Sequence, residues 1–171
     1  MHPEFLVLRL IHILGGIFWI GSGLYTFFFL GPALASTPAA MGQVMAALQK
    51  RRVFTAQQIA AALVLLSGLR LLMIDSAGFS GSYFATGPGR TFAIAGVFAI
   101  LAGIFNFGVA RPTMERAVAV AASLAAAADA GEKARLTQEL DRLRKRGAIA
   151  GMLAVTSGIL AASGMAVARY V

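Results

Sequence analysis

Apolar residues along this chain fall into four long runs, at about 5–31, 53–75, 91–111 and 147–169, broken by short polar or charged connections. Each run reaches the roughly 20 residues that an α-helix needs to cross about 30 Å of hydrocarbon. A backbone in lipid must satisfy its hydrogen bonds within its own segment, and the runs show no two-residue alternation, so helices and not strands are predicted. The expected fold is all-α: a four-transmembrane-helix bundle that forms one integral membrane domain over residues 1–171. The first run ends near Ala33-Leu34-Ala35, which looks like a leader-peptidase site. Its length far exceeds the roughly 7–15 residues of a signal core, and no basic segment precedes it, so it is expected to span.

The connections differ in character. Ser76–Arg90 holds Gly78, Gly81, Gly87, Pro88 and Gly89, which are turn formers, with Phe79, Tyr83 and Phe84 expected at headgroup level. The first connection holds Pro32 and Pro38 and then 41–48, read as a short interfacial helix or an early start to helix two. The third is longest. Residues 113–128 are rich in Ala and Val, Asp129-Ala130-Gly131 marks a turn, and 132–146 resume with Asp141 four residues before Lys145. Helices three and four are therefore expected to continue as a cytoplasmic helical hairpin over 112–146, with arms of about 22 Å. Beyond this Ala richness no repeat stands out.

Charge fixes an expected orientation. Lys50, Arg51 and Arg52 stand in the first connection. Arg111, Arg116, Lys133, Arg135, Arg142, Arg144, Lys145 and Arg146 stand in the third, whereas the second has only Arg90. Positive residues stay inside, so the first and third connections are expected in the cytoplasm and both termini on the outer, periplasmic side of a bacterial inner membrane. The net charge of +8 thus reads as membrane topology and not as a nucleic-acid surface. Arg142, Arg144, Lys145 and Arg146 form an expected basic collar at the inner headgroups.

Helix faces carry the candidate chemistry. Arg9, His12, Gly16, Trp19, Gly23 and Thr26 are spaced to share one stripe of helix one, expected to face protein, with Gly16 and Gly23 admitting a close neighbour. Helix four has a small-residue stripe, Ala150, Ala154, Ser157, Ala161, Gly164 and Ala168. Gly96, Gly103 and Asn106 in helix three, and Ser67 and Arg70 in helix two, are the corresponding positions. Asp75 is an expected partner for Arg70 or Arg9. The chain has no Cys, which excludes thiolate metal sites, disulfides and Cys catalysis within it. There is no phosphate-binding Gly loop and no Ser/His/Asp set at one depth. His12 is the one histidine within the spans, and helix direction puts Met165 at a similar depth, a candidate haem or copper ligand pair. His2 precedes the helix, within limited reach of a metal at the outer surface.

The segment Leu10-Ile11-His12-Ile13-Leu14-Gly15-Gly16-Ile17-Phe18-Trp19-Ile20-Gly21 resembles the first helix of the copper-resistance protein D-like membrane family, in which a His and a Trp-x-Gly step open the bundle and a Pro such as Pro32 closes the helix. Lys50-Arg51-Arg52 and Ser67-Gly68-Leu69-Arg70 are also similar, so the resemblance covers roughly residues 5–75. It implies a small inner-membrane helical bundle, with copper handling in some members. A second, more distant likeness is to four-helix haem-binding membrane proteins of porphyrin metabolism, whose first-helix His matches His12.

The residues favour a non-catalytic accessory subunit that packs against a larger membrane complex, respiratory or photosynthetic. Arg9, Trp19, Arg70, Arg90 and the collar are the expected contacts with partner subunits or lipid. The alternative is a haem- or copper-binding four-helix protein that uses His12 and Met165.

Overall fold

A computed structural model describes residues 3–171, and every regular element among them is helical. His2 lies outside the described residues. In chain order the helices are α1 (Pro3–Ser36), α2 (Pro38–Lys50), α3 (Val53–Asp75), α4 (Gly81–Phe84), α5 (Gly87–Ala126) and α6 (Ala130–Tyr170). Of these, α1, α3, α5 and α6 are long and apolar enough to cross a membrane. The chain is an all-helical membrane protein.

Local chemistry sets the boundaries. Thr86 caps α5, its hydroxyl accepting the Gly89 N–H at 3.1 Å, and Pro88 sits in the first turn, where no N–H is needed. Because of that cap α5 begins at Gly87, ahead of the expected start at 91. Asp129 caps α6 by accepting the Glu132 N–H at 2.8 Å. Arg52, at φ 54°, turns the chain between α2 and α3, so residues 41–48 belong to a separate helix and not to an early start of α3. After α3, Ala77, Gly78 and Phe79 all take positive φ, and the buried Ser76 hydroxyl accepts the Phe79 N–H at 2.8 Å to hold the turn.

Two prolines lie inside the long helices, and both are handled alike. A proline has no N–H to donate, and its ring crowds the carbonyl four residues back. A wide π-helical turn precedes each, Thr26–Leu30 before Pro32 and Ile104–Ala110 before Pro112. The Gly31 N–H reaches back to the Thr26 carbonyl, and the Arg111 N–H to that of Asn106. Superposing these prolines along the sequence pairs Gly16, Phe18, Ile20, Gly23 and Phe27 with Gly96, Phe98, Ile100, Gly103 and Phe107. Ser67-Gly68 of α3 likewise has a counterpart in Ser157-Gly158 of α6. The two proline-containing helices thus share a local residue pattern around their π-helical turns.

The helices associate as two pairs, α1 with α3 and α5 with α6. Trp19, Ala60, Ala61, Val64 and Ala102 are buried where the pairs meet, flanked by Ile20, Leu65 and Phe107. The Trp19 and Phe107 rings stack with centroids 6.3 Å apart. Small residues make the approach possible: a Cβ added at Gly158 would lie 2.9 Å from Ile20 Cδ1, and one at Gly164 would lie 3.0 Å from the Ala95 Cβ. Membrane helices associate through such packing, because lipid supplies no hydrophobic drive between them. The expected α6 stripe is inward, with Ala150, Ser157, Ala161 and Ala168 buried and Ala154 and Gly164 half-buried.

Past this core α5 and α6 run on together to the turn at 127–129. Val120, Leu136 and Leu140 are buried between them, with Ala117, Leu124 and Leu143 alongside. Arg116 bonds Glu139 across the pair at 2.7 Å. Helices of 40 and 41 residues are about 60 Å long, twice the hydrocarbon thickness. Asp141 approaches Arg144 at 3.9 Å and not Lys145, the expected partner, so the ion pair is an i,i+3 one.

Candidate functional site

His12 is engaged through both ring nitrogens within the spans. Its Nδ1 lies 2.9 Å from the Val64 carbonyl oxygen, and its Nε2 lies 3.4 Å from the Met165 sulfur. The Ser67 hydroxyl is 3.4 Å from Nδ1 and also donates to the Leu63 carbonyl at 2.5 Å. A carbonyl only accepts, so Nδ1 carries a proton; in the neutral ring the Nε2 lone pair then faces the thioether. The glycine step of α3 makes room for the ring, since a Cβ at Gly68 would stand 2.7 Å from His12 Cε1. The depth argument from sequence thus brings His12 and Met165 together.

The spacing of this pair discriminates between ligands. Axial ligands on opposite faces of a haem need N and S about 4.3 Å apart, taking metal–N near 2.0 Å and metal–S near 2.3 Å. At 3.4 Å no macrocycle fits between Nε2 and Sδ. With the same bond lengths, one ion bound by both atoms would subtend roughly 105°, a tetrahedral-like angle. Imidazole and thioether suit a soft ion such as copper(I). His12 and Met165 would be the two protein donors, and no cluster of three His, Cys, Asp or Glu exists among the described residues.

The rest of the α1 stripe behaves unevenly. Arg9, His12, Gly16 and Gly23 are half-buried and Trp19 is 4% exposed, but Thr26 is exposed. Thr26 begins the π turn, which changes the register along which the stripe was extrapolated. Trp19 is enclosed by this chain's own helices, which removes it from contact with lipid or a partner. A Cβ at Gly16 or Gly23 would meet nothing within 4 Å, so neither glycine is a close-approach point. The close glycine is Gly15, whose added Cβ would lie 2.8 Å from Val64 Cγ2. Sequence reasoning passed over Gly15 because it adjoins Gly16, and only the rotation of the helix chooses between them.

At the end carrying the termini, Arg70 pairs with Glu4 at 2.7 Å and not with Asp75, because Glu4 stands opposite it on the adjoining α1. Arg9 is likewise unpaired with Asp75 among the described residues. Arg90 is exposed and turns back to the Thr86 carbonyl at 3.4 Å. At the other end Arg111 donates to Glu115 at 2.8 Å, while its Nη1 is buried without a hydrogen-bond partner.

Two adjoining grooves run along the α5–α6 surface. One, of about 460 Å³, is bounded by Arg116, Arg135, Glu139, Arg142, Leu143 and Arg146. The other, of about 350 Å³, is bounded by Phe105, Val109, Ile149, Ala150 and Leu153, with Arg146 again at its edge. Of the expected collar, Arg142 and Arg146 line these grooves; Arg144 and Lys145 do not. No family model matches the chain, and neither a curated protein nor a solved structure matches it.

Proposed function

We propose that this protein is a non-catalytic integral membrane subunit that packs laterally against a larger membrane complex, respiratory or photosynthetic in character. It lies in a bacterial inner membrane with both termini periplasmic, and α5 and α6 extend past the bilayer as a cytoplasmic helical hairpin. The basic residues of the first and third connections support that orientation. One observation carries the subunit reading. Behind the inward stripe of α6, the small residues Ala148, Thr156, Ala162, Ser163 and Ala166 are exposed on the opposite side, interleaved with the larger Met152 and Ile159. Lipid tails gain nothing from small residues, whereas a neighbouring helix does. The test is to replace Ser163 and Ala166 together by Leu. Co-purification with the complex should be lost while the isolated chain keeps its fold. Co-purification at the wild-type level would sink the reading.

A second reading rests on the His12–Met165 pair, which supports a copper(I) site within the bundle. A bound soft ion would be held between Nε2 and Sδ, while the Val64 carbonyl keeps the proton on Nδ1. Metal analysis of wild type beside Met165→Leu separates the readings: one copper per chain lost in the variant favours the site, and none in either favours a packing role.

A further inference from the structure

The two grooves on α5 and α6 differ in chemistry and meet at one residue. The first has four guanidinium groups and a single carboxylate, Glu139, already bonded to Arg116. The second has an almost wholly apolar lining. Arg146 belongs to both and immediately precedes the apolar run that begins at 147. Arg142 stands one turn further out, and Arg135 about 16 Å beyond Arg146 at 1.5 Å per residue. A strip that is apolar at membrane depth and cationic at its edge matches one molecule in shape and charge. We propose that α5 and α6 bind an anionic phospholipid here, with its phosphate between Arg142 and Arg146 and one acyl chain along Phe105, Val109, Ile149 and Leu153.

Arg116 and Arg135 form the outer wall and add a positive field without reaching the phosphate level. The helical period explains why Arg144 and Lys145 are not part of the site. Residues 135, 142 and 146 are spaced by seven and four and share a face, whereas 144 and 145 turn away from it. The site requires only that Arg146 lie at a membrane boundary. It is therefore independent of which compartment holds the hairpin and of the subunit reading.

The test uses the full chain in nanodiscs of equal parts phosphatidylglycerol and phosphatidylcholine, with retained lipid counted by native mass spectrometry. Phosphatidylcholine carries the same phosphate with its charge cancelled by choline, so two arginines should favour phosphatidylglycerol by roughly twenty-five-fold, taking about a fivefold gain for each. Arg142→Gln with Arg146→Gln should reduce that preference to near parity. Arg144→Gln with Lys145→Gln removes the same charge outside the groove and should preserve it. Ile149→Trp, which fills the apolar groove, should lower retention of phosphatidylglycerol while inorganic phosphate still competes weakly or not at all. Equal losses in the two double variants would reduce the effect to bulk charge and overturn the proposal. Efficient displacement of the lipid by inorganic phosphate would overturn the acyl-chain half of it.

Discussion

Replacing Gly68 by Ala tests the fit of His12 against α3. The new Cβ would stand 2.7 Å from His12 Cε1 and 3.1 Å from Nδ1. A backbone-anchored methyl cannot move aside, and an imidazole wedged between helices has no flexible end to give. Overpacking of this kind costs about 1–3 kcal/mol. Displacing the ring also breaks the 2.9 Å bond to the Val64 carbonyl, worth about 0.6 kcal/mol in a membrane setting. Alanine's better helix propensity returns roughly 1 kcal/mol, which obscures the clash if the variant is measured alone. Gly16→Ala removes that ambiguity, because a Cβ there meets nothing within 4 Å and gains the same propensity. The difference between the two variants should be about 1.5–3.5 kcal/mol, with Gly68→Ala the less stable. Reversible unfolding of each purified variant in mixed detergent micelles measures it. Equal stabilities, or a Gly16 variant less stable than the Gly68 one, would refute the placement of His12.

Three further outcomes are expected. Leu140→Ala empties part of the Val120–Leu136–Leu140 cluster and should cost about 2–5 kcal/mol locally, speeding amide exchange in 113–126 and 130–143 but not in the spans; uniform acceleration would contradict a separable α5–α6 extension. Arg116→Gln should change stability by less than about 1 kcal/mol, because the Arg116 side chain of the ion pair is 70% exposed; a larger loss on chemical denaturation would assign the pair a structural role. The chain has no Cys, so single cysteines at Ser82 and Ala128 report orientation cleanly: an impermeant maleimide applied to intact spheroplasts should label position 82 and reach 128 only after permeabilisation, and the reverse would invert the topology.

How much was legible in the sequence depended on the length scale of each signal. The four spans were readable because twenty apolar residues in a row have few other uses, and the α6 stripe because its three- and four-residue spacing is sustained over five turns. His12 and Met165 were paired by counting residues from opposite ends, which needs only a helix rise. Choices that turn on one residue of rotation were not readable. Gly15 and Gly16 lie about 100° apart on the helix, and periodicity does not say which meets Val64. The π turns were equally hidden, although a proline after a long apolar run is the signal that locates both of them. The grooves required two helices at once: Arg116 and Val109 come from α5, Arg142 and Leu153 from α6, and no single-helix pattern joins them.

The subunit claim is tested most directly by gentle extraction of the native host's membranes, followed by native mass spectrometry of whatever carries this chain. The expected result is a fixed stoichiometry with other membrane subunits, with the same assembly recovered from a His12→Ala strain. Recovery of the wild-type chain alone, carrying one copper that is absent from the His12→Ala protein, would contradict the subunit reading and put the His12–Met165 site in its place.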